Sequence, residues 1–369
     1  MGIDIAGRFI GPGEPWQDFS HDGARAREIR DSGVLLVRPD PACLLAQGGD
    51  DIERGGGAAS GSGCNPGRMR TDMETHEKGF FTEENSVEVV TGRNKNAKDK
   101  RLKAVMEVIT RKLHEAVKEI EPTQDEWFEA IVFLTKTGQL STEWRQEFIL
   151  LSDILGVSML VDAINNRKPS GASESTVLGP FHVADAPKLP MGANICLDHK
   201  GEDMFVHGRI LDTEGRPIAN AVLDVWQANE EGFYDVQQKG IQPDFNLRGV
   251  FRTGADGKYW IRAVKPKSYS IPDDGTVGKL LNALGRHPCR PAHLHYILKA
   301  DGFETLTTHI FDPDDFYINS DAVFGVKESL LAAFKRIDDP ARAKTYEFDN
   351  PFWDVEHDFV LARRPAPQV

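Results

Sequence analysis

From residue 97 to about 166 the apolar positions recur every three or four residues. Leu102, Val105, Met106, Ile109, Leu113 and Val117 share one side of a helix. "PTQDEW" then offers Thr123 as an N-cap with Glu126 reaching back, a reciprocal pair that opens a second helix through Phe133 and Leu134. A third helix is predicted from Ser141 to near Asn165, carrying Trp144, Phe148, Leu151, Leu155 and Leu160. This much apolar surface must pack on a following domain or on a partner subunit. After "NRKPSGASES" the grammar changes to strands and turns. "MFVHGRILDTEGRPIANAVLDVWQAN" reads as two strands around an Asp/Gly/Pro turn, "FRTGADGKYWIRAV" as a hairpin with an Asp-Gly turn, and "AHLHYILKA" and "TLTTHIFD" as further strands. Short strands with turn signals between them predict an antiparallel β-sandwich. The fold class is therefore α+β, with the helices first.

The first 72 residues keep neither period for long. They include "GGGAASGSGCNPG", a Gly/Ser-rich stretch of the kind that stays flexible, and they are expected to form a disordered extension with Met73 as the natural start. The remaining chain divides into a helical region over 73–172 and a sandwich over 173–369.

Composition narrows the function. A chain of 369 residues with a formal net charge of −13 lacks the basic face of a nucleic-acid binder. Its four cysteines, Cys43, Cys64, Cys196 and Cys289, are scattered, which fits a reducing cytoplasm and leaves little room for a thiolate metal site. No run is apolar enough to span a bilayer, and "MGIDIAGRFI" lacks a signal peptide's order.

The chemistry concentrates near "CRPAHLHYILKA". His293 and His295 stand at i and i+2 of a strand, so their imidazoles project from one face. His309 lies on the next predicted strand, which leaves a three-histidine zinc site open on spacing alone. Two tyrosines occupy unusual contexts. Tyr234, in "EEGFYDVQ", falls where a loop leaves the sheet; Tyr269, in "KPKSYSIPDDG", is flanked by Pro266 and Pro272 and cannot belong to a regular internal strand. Taken singly, each residue also fits an ordinary core or sheet-edge role.

Together, "GFYDVQ", "PKSYSIPDDG" and "GRHPCRPAHLHYILKADGFETLTTHIF" strongly resemble the intradiol ring-cleaving dioxygenases, over the chain from about Met73 to its end. "STVLGPF", "IPDDGTVGKLL" and "VFGVKESL" are most similar to the branch acting on hydroxyquinol rather than catechol. The resemblance implies a non-haem ferric iron held by Tyr234, Tyr269, His293 and His295. It implies cleavage of hydroxyquinol by O₂ to 3-hydroxy-cis,cis-muconate and its tautomer maleylacetate, with catechol or a substituted catechol as the alternative substrate. Anionic oxygen donors and imidazole suit a hard trivalent cation. Two phenolates leave such a site with one positive charge, and exchanging one of them for a catecholate dianion makes it neutral, which a buried site favours. In the family the second tyrosine, here Tyr269, leaves as a phenol carrying off a substrate proton.

By the same resemblance Arg290 stabilises negative charge on the ring. His309 is a hydrogen-bonding group beside the metal rather than a fifth ligand. The implied substrate pocket comprises Leu150, Asp153, Val177, Leu178, Gly179, Phe181, Ile271, Pro272 and Val323, with Asp153 placed to accept a hydrogen bond from the third ring hydroxyl. His182 is read as structural. The family forms homodimers through the N-terminal helices, with a lipid-like molecule sometimes held between subunits. Two rivals remain at this point: a three-histidine zinc hydrolase, and a transthyretin-like binding module, for which "GRILDTEGRPIANAVLDVWQA" alone would suffice. A chain beginning at Met73 is expected to fold and keep full activity; loss of either on truncation would refute the reading of residues 1 to 72.

Overall fold

Asp99 opens the first long helix by accepting hydrogen bonds from the amides of Arg101 and Leu102 at 2.8 and 3.0 Å. The chain is seen in a computed structural model that describes residues 2–3, 9–10, 80–142 and 145–364. The expected extension up to residue 72, the start at Met73 and Trp144 lie outside the described residues, apart from a short pairing of Gly2–Ile3 with Phe9–Ile10. Two compact units result, residues 13–134 and residues 135–369 with 1–12.

The first unit holds α1 (Ser86–Gly92), α2 (Lys100–Ile120) and the start of α3 (Gln124–Leu140). Glu121, in the left-handed region at φ 50°, stops α2 one residue before Pro122. The reciprocal cap on α3 forms as the sequence indicates: Thr123 donates its amide to Glu126 Oε2 at 2.8 Å, and Glu126 donates its own to Thr123 Oγ1 at 3.2 Å. Along α2, Leu102, Met106, Ile109, Leu113 and Val117 are all exposed.

In the second unit the single helix expected over 141–165 is two, α4 (Glu147–Ile154) and α5 (Val157–Asn165). Gly156 breaks them apart with φ 71°, a left-handed turn that periodicity alone does not register. The strands are β1 (Asp203–Asp212), β2 (Val222–Gln227), β3 (Arg248–Arg252), β4 (Lys258–Val264), β5 (Tyr269–Ser270), β6 (Cys289–Arg290), β7 (His293–Lys299), β8 (Leu306–Phe311), β9 (Phe334–Ile337), β10 (Phe352–Glu356) and β11 (Phe359–Leu361). Helices α6 (Thr276–Ala283) and α7 (Pro340–Tyr346) interrupt them.

One sheet is antiparallel throughout, in the order β8-β7-β2-β3. The other is centred on β1, with β4 antiparallel on one edge and β10 then β11 parallel on the other, while β9 extends it beyond β10. Those parallel pairings depart from a purely antiparallel sandwich. The returning strands arrive from far along the chain, so no hairpin turn sets their direction. The hairpin read in "FRTGADGKYWIRAV" does not form either. β3 pairs with β2 in the first sheet and β4 with β1 in the second, so the Asp-Gly turn carries the chain across the sandwich.

A single core lies between the sheets, built from residues such as Val206, Val225, Phe251, Ile261, Leu294, Tyr296, Leu298 and Val355. Since β7 sends Leu294, Tyr296 and Leu298 inward, its alternate residues His293, His295 and Ile297 must face outward. They are buried nonetheless, because the segments that carry Gly179, Phe181, Tyr234 and Tyr269 pack on that face.

Between β10 and β11 the edge is closed by the His357 amide, which donates to the His207 carbonyl at 2.9 Å, and by Asp358 Oδ1, which accepts the Arg209 amide at 2.8 Å. At this point a Cβ on Gly208 would overlap the His357 carbonyl. Gly208→Ala is expected to destabilise the fold by about 2 kcal/mol or more, read as a lowered thermal midpoint.

Candidate active site

Strand register builds the centre of the site. On β7, His295 lies opposite Trp226 of β2 on one side and His309 of β8 on the other. The Trp226 ring stacks on His295 at 4.6 Å and 11°, while His309 meets it edge-on at 4.0 Å. The two-residue ladder of β5 and β6 pairs Tyr269 with Arg290, three residues before His293. Tyr234 opens a short 3₁₀ turn just after β2, its amide held by Gln237 Oε1 at 2.9 Å.

These elements converge on one buried point. Tyr234 Oη lies 2.8 Å from His295 Nε2 and 3.4 Å from Tyr269 Oη, and His295 Nε2 lies 3.1 Å from His293 Nε2. His293 Nδ1 must donate to the Pro291 carbonyl at 2.6 Å, because a carbonyl can only accept. That fixes the tautomer and aims the Nε2 lone pair at the shared space. Burial, followed by the Arg290 charge, pushes the His293 pKa down to about 3. Burial likewise holds His295 and His309 well below the usual imidazole range and Tyr234 well above the usual phenol range. Burial therefore favours the neutral forms of these three imidazoles and of the Tyr234 phenol. Among the described residues, His295 Nδ1 and both His309 nitrogens have no hydrogen-bond partner; the Val177 backbone approaches His309 closely enough to oppose the burial effect without making a full bond.

Buried lone pairs from two imidazoles and two phenols that face one another with too few protons among them are what a cation would satisfy, so the donor set fits a metal. One ring nitrogen from each of His293, His295 and His309 also lies within 4.8 Å of the other two. His309, however, is stacked on His293 at 4.7 Å and 20°, so its nitrogens lie in a plane offset from that of His293.

Arg290 is buried and makes a two-pronged pair with Asp321, Nε to Oδ1 at 3.1 Å and Nη2 to Oδ2 at 3.3 Å. Its Nη1 points at His293 Nε2 from 3.3 Å. Burial would lower the guanidinium pKa, but Asp321 more than reverses this; Asp321 in turn, despite its burial, is held below the usual carboxylate range by Arg290. Asp321 also accepts the amides of Val323 and Gly325 at 3.2 and 2.9 Å. Sequence reading missed this residue, although "SDAVFG", an Asp followed by a Gly four residues on, is the kind of turn that collects backbone amides. It missed Asp235 and Arg248 as well. That buried ion pair, Oδ1 to Nε at 2.7 Å, stands immediately behind Tyr234.

Of the anticipated pocket, Leu150, Val177, Ile271 and Val323 pack in one cluster with Ile154 and Val277. Phe181 stacks on Tyr234 at 4.5 Å. Gly179, at φ 77°, approaches so closely that a Cβ would stand 3.2 Å from His295 Cε1. Asp153 is partly buried on α4; burial raises its carboxyl pKa, against hydrogen bonding by Ser158 and the Arg290 charge. Leu178 and Pro272 are exposed, and the contacts above do not bring them to the site. His182 hydrogen-bonds Asp224 Oδ2 at 2.9 Å and packs edge-on against Trp226.

Among the described residues no helix is long and apolar enough to cross a membrane. Sequence profiles of two families match, one described as "Dioxygenase" over residues 179–361 and one as "Catechol dioxygenase N terminus" over residues 99–173. The hydroxyquinol 1,2-dioxygenase of Rhizobium sp. (strain MTP-10005) is 72% identical over 294 residues, which cover 79% of this chain and 100% of that protein. Among solved structures, the hydroxyquinol 1,2-dioxygenase of Pseudomonas putida DLL-E4 matches with TM-score 0.72 and 44% identity, covering 76% of this chain and 99% of that one. The catechol 1,2-dioxygenase of Acinetobacter radioresistens matches with TM-score 0.68 and 29% identity, covering 78% and 97%.

A carboxyl whose pKa is raised on folding stabilises the fold below its unfolded pKa and loses that contribution as pH rises through the folded value. Asp153→Asn is therefore expected to raise the thermal midpoint at neutral pH, with the gain vanishing below about pH 4. Midpoints equal to the parent's at every pH would mean that Asp153 is not desolvated.

Proposed function

We propose, from the premise that this chain belongs to the intradiol dioxygenase family, that it opens the ring of hydroxyquinol between its vicinal hydroxylated carbons with O₂. The product is 3-hydroxy-cis,cis-muconate, which tautomerises to maleylacetate. The observation that carries the reading is the buried meeting of Tyr234 Oη, Tyr269 Oη, His293 Nε2 and His295 Nε2. We assign these four atoms as the ligands of a ferric ion. When bound, the ion would hold the phenols as phenolates and chelate the substrate's adjacent oxygens, making the ring reactive toward O₂. His309, stacked on His293, supports ring orientation rather than ligation.

The two tyrosines are held unequally. Tyr234 is gripped by Gln237, the stacked Phe181 ring and the Asp235–Arg248 pair behind it. Tyr269 has the two-residue ladder and ring contacts to Tyr234 and His293, but its hydroxyl makes one long contact, to Tyr234 Oη. This supports Tyr269 as the residue that swings away, its Oη accepting one substrate proton. Arg290, locked in place by Asp321, presents a permanent positive charge where negative charge develops on the ring. The apolar wall of Leu150, Val177, Ile271 and Val323 excludes water from that charge. Asp153, at the margin of the wall, accepts the third hydroxyl of hydroxyquinol, which catechol lacks.

We further propose that residues 73–172 serve as a linker through which two copies associate, around a lipid-like molecule. The exposed apolar stripe of α2 supports this. A cytoplasmic location is supported by Cys196 and Cys289, both free thiols.

Oxygen uptake by iron-quantified protein given hydroxyquinol, with products identified and a protein-free control, tests the reading. Iron-dependent formation of maleylacetate is expected. Iron-loaded protein that opens only catechol would replace the substrate, and colourless, zinc-loaded, inert protein would overturn the ligand set. Asp153→Ala is expected to lower the kcat/KM preference for hydroxyquinol over catechol by about tenfold or more; an unchanged preference would refute the role given to Asp153.

A further inference from the structure

Helix α6 follows the loop that carries Tyr269 and Ile271, and no side chain of its own caps its start, where Gly275 stands at the N-cap. The cap comes from another element. Glu147, the first residue of α4 and fully buried, places Oε1 3.1 Å from the Val277 amide and 3.3 Å from Thr276 Oγ1. Thr276 Oγ1 lies 2.8 Å from Thr137 Oγ1. The second carboxylate oxygen of Glu147 accepts from Arg145 Nε at 2.9 Å, and Arg145 reaches on to Asp274 at 2.8 and 3.0 Å. The approach is so close that a Cβ on Gly275 would collide with Glu147 and Arg145.

A side chain at position 275 would collide, so the cap is supplied from outside the helix, by a buried carboxylate. The arrangement found here does something a local cap cannot: it ties α4, which bears Leu150 and Asp153, to the far end of the Tyr269 loop. The near end is tied separately, by the ladder of β5 on β6 and by the Ile271 amide donating to the Pro288 carbonyl at 2.9 Å. We infer that Glu147, with Arg145 and Asp274, is a clamp that positions the Ile271 wall of the pocket against α4 and keeps the loop still while the Tyr269 side chain moves. These are positioning residues; none touches the substrate. The inference rests on the pocket and the mobile tyrosine proposed above.

The test compares iron-loaded full-length protein with its Asp274→Asn, Arg145→Gln and Glu147→Gln variants. Asp274 stands at the solvent end of the clamp, its side chain 75% exposed, so its variant keeps the test alive if the buried substitutions fail to fold. Two results are expected in each variant that folds. Amide deuterium exchange across residues 271–278 accelerates relative to the rest of the sandwich. Hydroxyquinol titrated without oxygen binds about tenfold more weakly, while iron content is unchanged. A lowered thermal midpoint with exchange and affinity both at parental values would reduce the cluster to a structural brace and overturn the inference. Parent protein that neither binds nor cleaves hydroxyquinol would sink the functional reading instead, and the exchange comparison would still decide whether the clamp holds the loop.

Discussion

The site depends on a crowd of buried ring nitrogens and phenols, several of which find no hydrogen-bond partner among the described residues. Two imidazole nitrogens 3.1 Å apart, facing two phenols, with further ring nitrogens that have no hydrogen-bond partner among the described residues, form an arrangement that an apolar interior resists. What maintains it is register. His295 is locked between Trp226 and His309 by cross-strand pairing, and β7 is in turn fixed by the alternate residues it sends into the core. Slipping β7 by one position would turn the imidazoles into the core and the leucines out. The sandwich core and the cluster on its outer face are thus two sides of one alternation.

Charge is handled by pairing each buried cation with its own carboxylate. Arg290 takes Asp321 and Arg248 takes Asp235, so the two guanidiniums nearest the cluster add little net charge to it. Each pair also does a second job. Asp321 gathers the amides of the turn that carries Val323, and Asp235 accepts the amide of Phe245 at 3.0 Å, fastening the loop behind Tyr234. The turn that carries Val323 and the loop behind Tyr234 are therefore held by the same carboxylates that neutralise the two guanidiniums.

Much of this was legible in the sequence where the signal is local. The i, i+2 histidines, the tyrosine set apart by prolines, and the capping pair of Thr123 and Glu126 all declare themselves within a few residues. What escaped is carried by distant partners or by a single backbone angle. Gly156 splits a helix that its apolar period would continue. The turn at Asp256–Gly257 has hairpin chemistry, yet its two strands find their partners in opposite sheets. Asp321 and Glu147 have their decisive partners, Arg290 and Val277, 31 and 130 positions away. Local propensity cannot express such pairs.

The parallel edge of β1 bears on how the protein is made. Residues 352–361 complete that edge, and the contact that seals its middle, from the Arg209 amide to Asp358, spans 149 positions. While the chain emerges from a ribosome, β1 has β4 on one side and an open ladder on the other until those late strands arrive. An exposed edge of apolar, β-prone sequence is a template for other nascent chains. The vulnerable interval for this enzyme therefore opens once β4 is made and closes when residues 352–361 arrive. Before it closes, Tyr234, Tyr269, His293 and His295 have already been made, while the sheet behind them is still unfinished.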